Sequence, residues 1–450
     1  MAKDKTVYIC SSCGGESQRW SGKCFTCGEW NTLEESVIVG AKSGPTKSSS
    51  AGSVLKPDSV SDAVAHDEPR LRTAIDDVDV LLGGGFVSGS VNLLAGQPGI
   101  GKSTILLQIA NAIAKQKRVL YISGEESTHQ VGLRAKRLGI SAKTLHIVAT
   151  NATDNIAATI NQGNYDIVVV DSIQTVACND ISSAAGSMSQ ITNSTKLLSY
   201  AAKQSNTALI LVGHVTKEGS IAGPKLLEHI VDVVLQLEGD RYGGFKILRA
   251  VKNRYGSTED SALFEMKGSG LEVVKNPSAA LLAERQQTDG SVVLATMEGT
   301  RPLLVEVQAL VNPTNYGYPK RAASGMDLNR LQLLIAMLER RTKLKLADMD
   351  VYVNIVGGIR LQEPAGDLAV AMAIASAAKS MQLSKNAVVF GELGLSGEVR
   401  HVPHIDKRVQ EARKLGFDEA VGPVLQGKAQ PKQYRGVSSV RTALNTYLKS

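Results

Sequence analysis

The sequence predicts an α/β protein in three parts: a doubly wound parallel sheet in the middle, a small cysteine-rich unit before it, and an α+β domain after it. Three observations carry this. Four of the five cysteines fall within the first 27 residues. From about residue 71, short apolar runs alternate with helix-like stretches, the pattern of strands buried on both faces between crossover helices. Beyond Pro277 that rhythm gives way to longer strands and amphipathic or alanine-rich helices.

Residues 1–35 form the cysteine-rich unit. Residues 36–70 turn to Ser, Gly, Lys and Pro, including SSSAGS at 48–53, and offer too little apolar surface to order themselves; they read as a flexible linker. The middle domain spans 71–275, with strands expected at 91–95 (VNLLA), 119–123 (VLYIS), 167–171 (IVVVD) and 208–213 (ALILVG). Helices are expected over 103–115 and 195–203, and two further strands at 231–237 and 245–251. The third domain, 276–450, carries expected strands at 291–297 and 303–311, a helix over 327–341, a strand at 351–356, an alanine-rich helix over 366–380 and a strand near 387–391.

Apolar residues make up 43% of the chain and charged residues 21%, an ordinary globular mixture. No window approaches the run of about 18 apolar residues that a membrane span needs. The first five residues are polar, without an apolar signal core, so the expected location is the cytoplasm. The net charge of +7, from 50 basic and 43 acidic residues, permits a polyanionic partner without requiring one.

Cys10 and Cys13 form one C-x-x-C pair, Cys24 and Cys27 another. Each pair suits a tight turn that aims two thiolates at one tetrahedral metal about 2.3 Å away. Gly14 and Gly28 follow the pairs, where such a turn needs positive φ. A redox dithiol is the other reading of a single pair; two pairs ten residues apart point to one structural Zn²⁺. Cys178 is a bystander in this reading. Arg19, Trp20 and Lys23 lie between the pairs, a mixture compatible with nucleic acid, although Trp20 equally suits covering a small core.

Gly96-Gln97-Pro98-Gly99-Ile100-Gly101-Lys102-Ser103, followed by Thr104, fits G-x-x-x-x-G-K-[ST] between an expected strand and an expected helix. The glycines let backbone N–H groups face phosphates, and the helix N-terminus adds favourable partial charge. Lys102 is expected at the β- and γ-phosphates of a nucleoside triphosphate, ATP, with Ser103 on Mg²⁺. Asp171 ends an apolar run and fits the acid that helps hold Mg²⁺, or else caps a turn. Glu125 and Glu126 follow the strand at 119–123; either suits a general base for the attacking water. His214 is placed to sense the γ-phosphate or to serve structure.

Taken together, the four-cysteine unit, GQPGIGKST at 96–104, SGEES at 123–127 and VVVDS at 168–172 resemble the bacterial RadA (Sms) family. So does Lys252-Asn253-Arg254-Tyr255-Gly256, which resembles that family's KNRFG signature with Tyr in place of Phe. The resemblance covers nearly the whole chain. It implies a zinc ribbon, a RecA-like P-loop ATPase core and a C-terminal domain similar to that of Lon proteases. It also implies a DNA-dependent ATPase of DNA repair and homologous recombination that binds single-stranded and branched DNA and drives branch migration. A homohexameric ring and a RecA-type recombinase as partner come with it. Residue by residue, it places Lys102 and Ser103 in the phosphate loop, Asp171 at the Mg²⁺-associated acid, Glu125 at the water-activating glutamate, and Lys252 and Arg254 at basic positions acting across a subunit interface or on DNA-coupled steps.

The resemblance to Lon rests on Gln362 to Asp367 and on GELGLSG at 391–397. Where Lon has a serine before the Ala-Gly matching Ala365-Gly366, this chain has Pro364, and Lon's lysine falls near Asp406. Neither supplies a nucleophile or an amine, and Lys407 is one residue off. A ring-assembling scaffold is expected there. Segments 179–190 (NDISSAAGSMSQ) and 216–225 (TKEGSIAGPK, with Lys217 and Lys225) are loop candidates for DNA contact, and neither offers an aromatic ring. A recombinase loader without motor activity and an ATP-dependent protease are the competing readings.

Overall fold

The structure, a computed structural model, describes residues 5–10, 15–17, 19–38, 59, 70–214, 226–239, 245–315, 317–361, 363–425 and 431–448. Cys13, Gly14, most of 36–70, the 216–225 segment and Gln362 lie outside the described residues. Two compact units emerge: Met1–Glu238 with Leu248–Thr258 and Lys267–Leu271, and Gly239–Ile247 with Glu259–Met266 and Glu272–Ser450.

The first unit opens on β1 (Lys5–Cys10), β2 (Glu16–Ser17) and β3 (Leu33–Ile38), an antiparallel sheet in the order β2-β1-β3. Among the described residues its core is Cys10, Cys24 and Leu33 with Tyr8 against them. A unit of about 35 residues rarely stabilises a fold by apolar burial alone, which is the usual reason such a unit takes a metal.

Next come β4 (Val91–Gly96), β5 (Val119–Ser123), β6 (Leu145–Ala149), β7 (Ile167–Asp171), β8 (Ala208–His214), β9 (Val233–Gly239), β10 (Phe245–Asn253), β11 (Ser261–Lys267) and β12 (Gly270–Val273). Within the first unit, β9-β4-β8-β7-β5-β6 form a parallel sheet in that order, and β11 belongs to the second unit. The strands β4 and β5 are buried along their whole length, as are β7 and β8 up to their last residues, which is why they read as unbroken apolar runs. Register aligns their carboxyl ends: Gly96 lies opposite His214, and Ser123 opposite Asp171. In a doubly wound sheet that edge is where ligands bind.

Three elements carry no clear apolar pattern in the sequence. Edge strand β6 is half exposed, so its pattern is broken by His146. The helix Thr128–Arg137 buries only Val131 and Ala135 and is fixed instead by a capping box between Ser127 and Gln130. The helix Thr153–Gln162 is similarly polar, burying one stripe. A fourth, Met188–Gln204, starts earlier than expected because Ser187 caps it by accepting from the Gln190 amide. The last residues of the 179–190 segment are therefore helical, and the buried Gln190 amide donates to the carbonyls of Cys178, Ile181 and Ser183, folding the segment onto itself.

The second unit holds β13 (Ser291–Glu298), β14 (Arg301–Pro313), β15 (Arg321–Ser324), β16 (Met349–Ile355), β17 (Ala387–Val389), β18 (Glu392–Leu393), β19 (Val399–Arg400), β20 (Glu419–Pro423) and β21 (Tyr434–Val437). Seven of these make a mixed sheet, β15-β16-β14-β13-β17-β20-β21, and β18 pairs with β19. The alanine-rich helix Asp367–Lys379 is buried from Asp367 to Ser376 and packs on β13 and β14; small side chains allow that close approach. Among the described residues no helix is long and apolar enough to cross a membrane.

Candidate active site and metal centre

The phosphate loop leaves β4 at Gly96, where a Cβ would stand 2.7 Å from the Leu237 carbonyl oxygen of β9. Gly101, with φ of 117°, caps the helix Lys102–Ile113, a conformation only glycine adopts without strain. Ile100 is buried beneath the loop and anchors it.

Lys102 is only 5% exposed. Its ammonium donates to the carbonyls of Gly96 (2.8 Å) and Gln97 (3.0 Å) and lies 3.1 Å from His214 Nδ1. An ammonium can only donate, so Nδ1 accepts and the imidazole proton sits on Nε2. That atom points at Glu125 Oε1, 3.3 Å away, which also accepts from the Ser172 hydroxyl at 2.7 Å. Burial lowers the Lys102 pKa to about 8, against the raising influence of Asp171 and Glu125, so the side chain stays mainly charged at neutral pH. Burial disfavours the Glu125 carboxylate, but the Ser172 hydroxyl, His214 and Lys102 outweigh it and hold the group below its usual value. Glu126 points elsewhere, accepting from Arg134 at 2.6 Å. Of the two candidate glutamates, the structure brings Glu125 to Lys102.

Asp171 ends β7 and accepts from the Tyr121 hydroxyl at 2.5 Å. Ser103 also acts on that phenol, lowering its pKa. Burial, then the Asp171 charge, push the Tyr121 phenol well above its usual value, so it serves as a neutral donor. The two expected Mg²⁺ donors, Asp171 and Ser103, both act on this one phenol, and a hydroxyl with a carboxylate is the hard oxygen set that this ion prefers. Neither Tyr121 nor Ser172 was singled out in the sequence. Tyr121 is the only side chain with a polar atom before Ser123 in VLYIS, and Ser172 directly follows Asp171, so a faint signal existed.

Lys252 and Arg254 stand apart from this cluster. The Lys252 ammonium donates to the carbonyls of Glu228 (2.5 Å) and Val231 (2.8 Å). Burial, then Arg254, lower its pKa against the opposing influence of Asp232 and Glu228. Arg254 donates to Asp232 Oδ1 at 3.0 Å, and Asp232 Oδ2 accepts from the Val91 amide at 3.0 Å. Val91 begins the strand that Gly96 ends, so the basic turn lies at the opposite edge of the sheet from the phosphate loop of its own chain. Asn253 ties the turn to the Leu81 carbonyl at 2.8 Å, and Gly256 lies so close to Gly83 that a Cβ would stand 2.9 Å from its Cα.

In the N-terminal unit, the sulfurs of Cys10, Cys24 and Cys27 lie within 4.8 Å of one another, with Cys10 and Cys27 3.7 Å apart. Bonds of about 2.3 Å to a tetrahedral zinc place sulfurs about 3.8 Å apart, so the thiols fit that ion. Cys10 and Cys24 are buried, Cys27 is exposed, and the Thr26 amide donates to Cys24 Sγ at 3.4 Å. Gly28, with φ of 80°, closes the knuckle by donating to the Cys24 carbonyl at 2.9 Å. Cys178 is buried in the parallel-sheet region, its sulfur 3.5 Å from the Ser194 hydroxyl.

In the second unit, Pro364 opens a short 3-10 turn, and Asp406 sits in the first turn of the helix Ile405–Lys414. Lys407 donates to the Thr300 carbonyl at 3.1 Å. Next to Pro364, Glu363 takes both ends of the Arg408 guanidinium at 2.9 and 2.7 Å, and Arg408 is 0% exposed.

Three known families match separate parts of the chain. Residues 8–35 match the family described as "Rubredoxin metal binding domain", 58–220 the "AAA domain" and 331–425 "Subunit ChlI of Mg-chelatase". The chain is 48% identical over 455 residues to "DNA repair protein RadA" of Halalkalibacterium halodurans, covering 100% of both. The protein of that name from Bacillus subtilis is 48% identical over 456 residues, again 100% of both, and that from Pseudomonas aeruginosa 45% over 425 residues, 94% of each. Among solved structures, the chain is similar to that described as the RadB recombinase, at 22% identity and a TM-score of 0.37, over 46% of this chain and 100% of that one. With a zinc ribbon, a RecA-like P-loop core and a Lon-protease-like C-terminal domain in that order, the chain belongs to the RadA family of DNA repair proteins.

Proposed function

We propose that the chain is a DNA-dependent ATPase that binds single-stranded DNA and drives branch migration of recombination intermediates as a six-membered ring. The observation that carries this reading is the connected set Lys102–His214–Glu125–Ser172 at the carboxyl edge of four parallel strands, beside the phosphate loop. Loop amides and the helix N-terminus face the triphosphate. Lys102 exchanges its loop carbonyls for β- and γ-phosphate oxygens. Glu125, held as a carboxylate by Ser172 and His214, orients the attacking water. Ser103 and Asp171, the latter braced by Tyr121, would hold Mg²⁺, which when bound neutralises charge building on the phosphates.

Lys252 and Arg254 act on a neighbour's nucleotide. The five steps from Val91 to Gly96 span about 16 Å at the rise of a strand. A cation at the far edge therefore does not reach its own phosphate loop, whereas a ring puts it beside the next one, where such a cation is worth about 10³- to 10⁵-fold in rate. The test is movement of a synthetic branched DNA by wild type and Arg254→Ala. The variant should bind DNA and leave branches in place; wild-type movement by it would refute the trans role. Binding without movement by the wild-type chain itself would make the protein a loader.

A further inference from the structure

Phenylalanine and tryptophan are scarce in this chain, six and two residues in all. Phe86, Phe264, Phe390 and Phe417 are buried in cores and Phe245 is partly buried against one. The remaining three rings are Trp20, Phe25 and Trp30, all within eleven residues of the zinc ribbon, at 62, 84 and 70% exposure. At that exposure Trp20 does not cover the small core, which among the described residues holds Cys10, Cys24 and Leu33. Tyr200 and Tyr318 are the other strongly exposed rings among the described residues, and they stand far apart in sequence.

The ribbon presents these rings on a defined frame. The Cys24 amide donates to the Glu29 carbonyl at 2.8 Å and the Asn31 amide to the Gly22 carbonyl at 2.8 Å, making a hairpin whose tip is the Cys24–Cys27 knuckle. Phe25 sits in that knuckle, and Lys23 pairs with Trp30 across the arms. The Lys23 ammonium lies 5.8 Å from the Trp30 ring centroid. Arg19 and Lys23 are exposed beside the rings in sequence, as is the acid Glu29. Exposed rings and nearby cations are the two things that single-stranded nucleic acid needs: every base has a face to stack, and every nucleotide a phosphate. The two loops expected to contact DNA contain no aromatic residue, so stacking has to come from elsewhere.

We propose that the zinc-ribbon surface carrying Trp20, Phe25 and Trp30, flanked by Arg19 and Lys23, is a stacking platform for single-stranded DNA. It rests on the reading that such DNA is a partner of this chain, and it assigns the base contacts to the ribbon.

Both tryptophans of the chain lie on this surface, so intrinsic tryptophan emission of the full-length, zinc-loaded protein reports it directly. Titration with an unlabelled oligothymidylate should quench that emission at the same concentrations at which anisotropy of a labelled copy reports binding. Phe25→Ala and the double variant Trp20→Ala/Trp30→Ala should each weaken binding, by roughly 5- to 100-fold per ring removed. Trp20→Phe/Trp30→Phe should keep most of the affinity, and zinc content should stay at one per chain in every variant. Binding with unchanged emission would overturn the platform while leaving DNA binding elsewhere intact. Wild-type affinity in the alanine variants would do the same. Quenching by an added recombinase but not by the oligonucleotide would make the surface a protein-docking site instead. Absence of any DNA binding by anisotropy would remove both the platform and the function on which it rests.

Discussion

Two places in this molecule set acids against cations, and they do so to opposite ends. At the phosphate loop, Lys102, His214, Glu125 and Ser172 are joined by single contacts, and the Glu125 side chain remains 46% exposed. Beside Pro364 each of the two side chains is answered several times over. Arg408 donates to Glu363 twice and to the carbonyls of Ala295 and Pro403, while Glu363 also accepts from the Met297 amide and the Thr296 hydroxyl. A saturated buried pair holds structure and leaves no valence for a substrate; a chain of single contacts can be reopened by one.

The two regions separate most sharply at Lys102. Lys102→Ala should cut ATP turnover by about 10³-fold with an unchanged melting temperature, since removing one preorganised charge stabiliser typically costs that much. A variant that kept a tenth of the wild-type rate would show that the loop, and not the ammonium, carries the chemistry. The mirror experiment is Glu363→Leu, which strands a buried guanidinium and should lower stability in urea by about 3–5 kcal/mol. Glu363→Leu/Arg408→Met should recover most of that loss, and a single variant of wild-type stability would mean the pair is not structural. The carboxyl of Glu363 is held below its usual 4.5: burial opposes this, but Arg408, Met297 and Thr296 outweigh it. Its contribution is therefore complete above pH of about 4.5 and lost as pH falls through the folded-state value, a dependence that Glu363→Leu should flatten. The smallest expected effect belongs to Tyr121→Phe. Losing the donor behind Asp171 should raise the Mg²⁺ concentration for half-maximal turnover about ten-fold. Nucleotide affinity measured in chelator should not move; if it did, Tyr121 would be shaping the loop instead.

The two regions also differ in how far they could be read in the sequence. The phosphate loop is legible because its chemistry is backbone chemistry: glycines at fixed offsets and one lysine, set between a strand and a helix, suit a phosphate and little else. The strands that carry it are equally plain, since burial on both faces writes an unbroken apolar run. What surrounds the loop is harder to see. Tyr121 reads as one more core residue until β7 brings Asp171 to it, and Ser172 is silent until Glu125 arrives from β5. The pairing of Glu363 with Arg408 joins residues 45 positions apart and has no local signature at all. Polar elements such as the helix Thr128–Arg137 are faint because caps and edges, not apolar periodicity, define them. The exposure of Trp20 reverses the core-covering role that its ring equally suited.

The engagement of Lys102 by its own loop has one more consequence. Most of the water around that ammonium has already been stripped away during folding, and two carbonyls with an imidazole hold it in the meantime. An arriving anion therefore need not dehydrate the lysine; it need only outcompete three neutral acceptors. A doubly charged terminal phosphate does so readily, whereas a singly charged or strongly hydrated anion gains little, so the resting loop acts as a charge threshold at the door of the site.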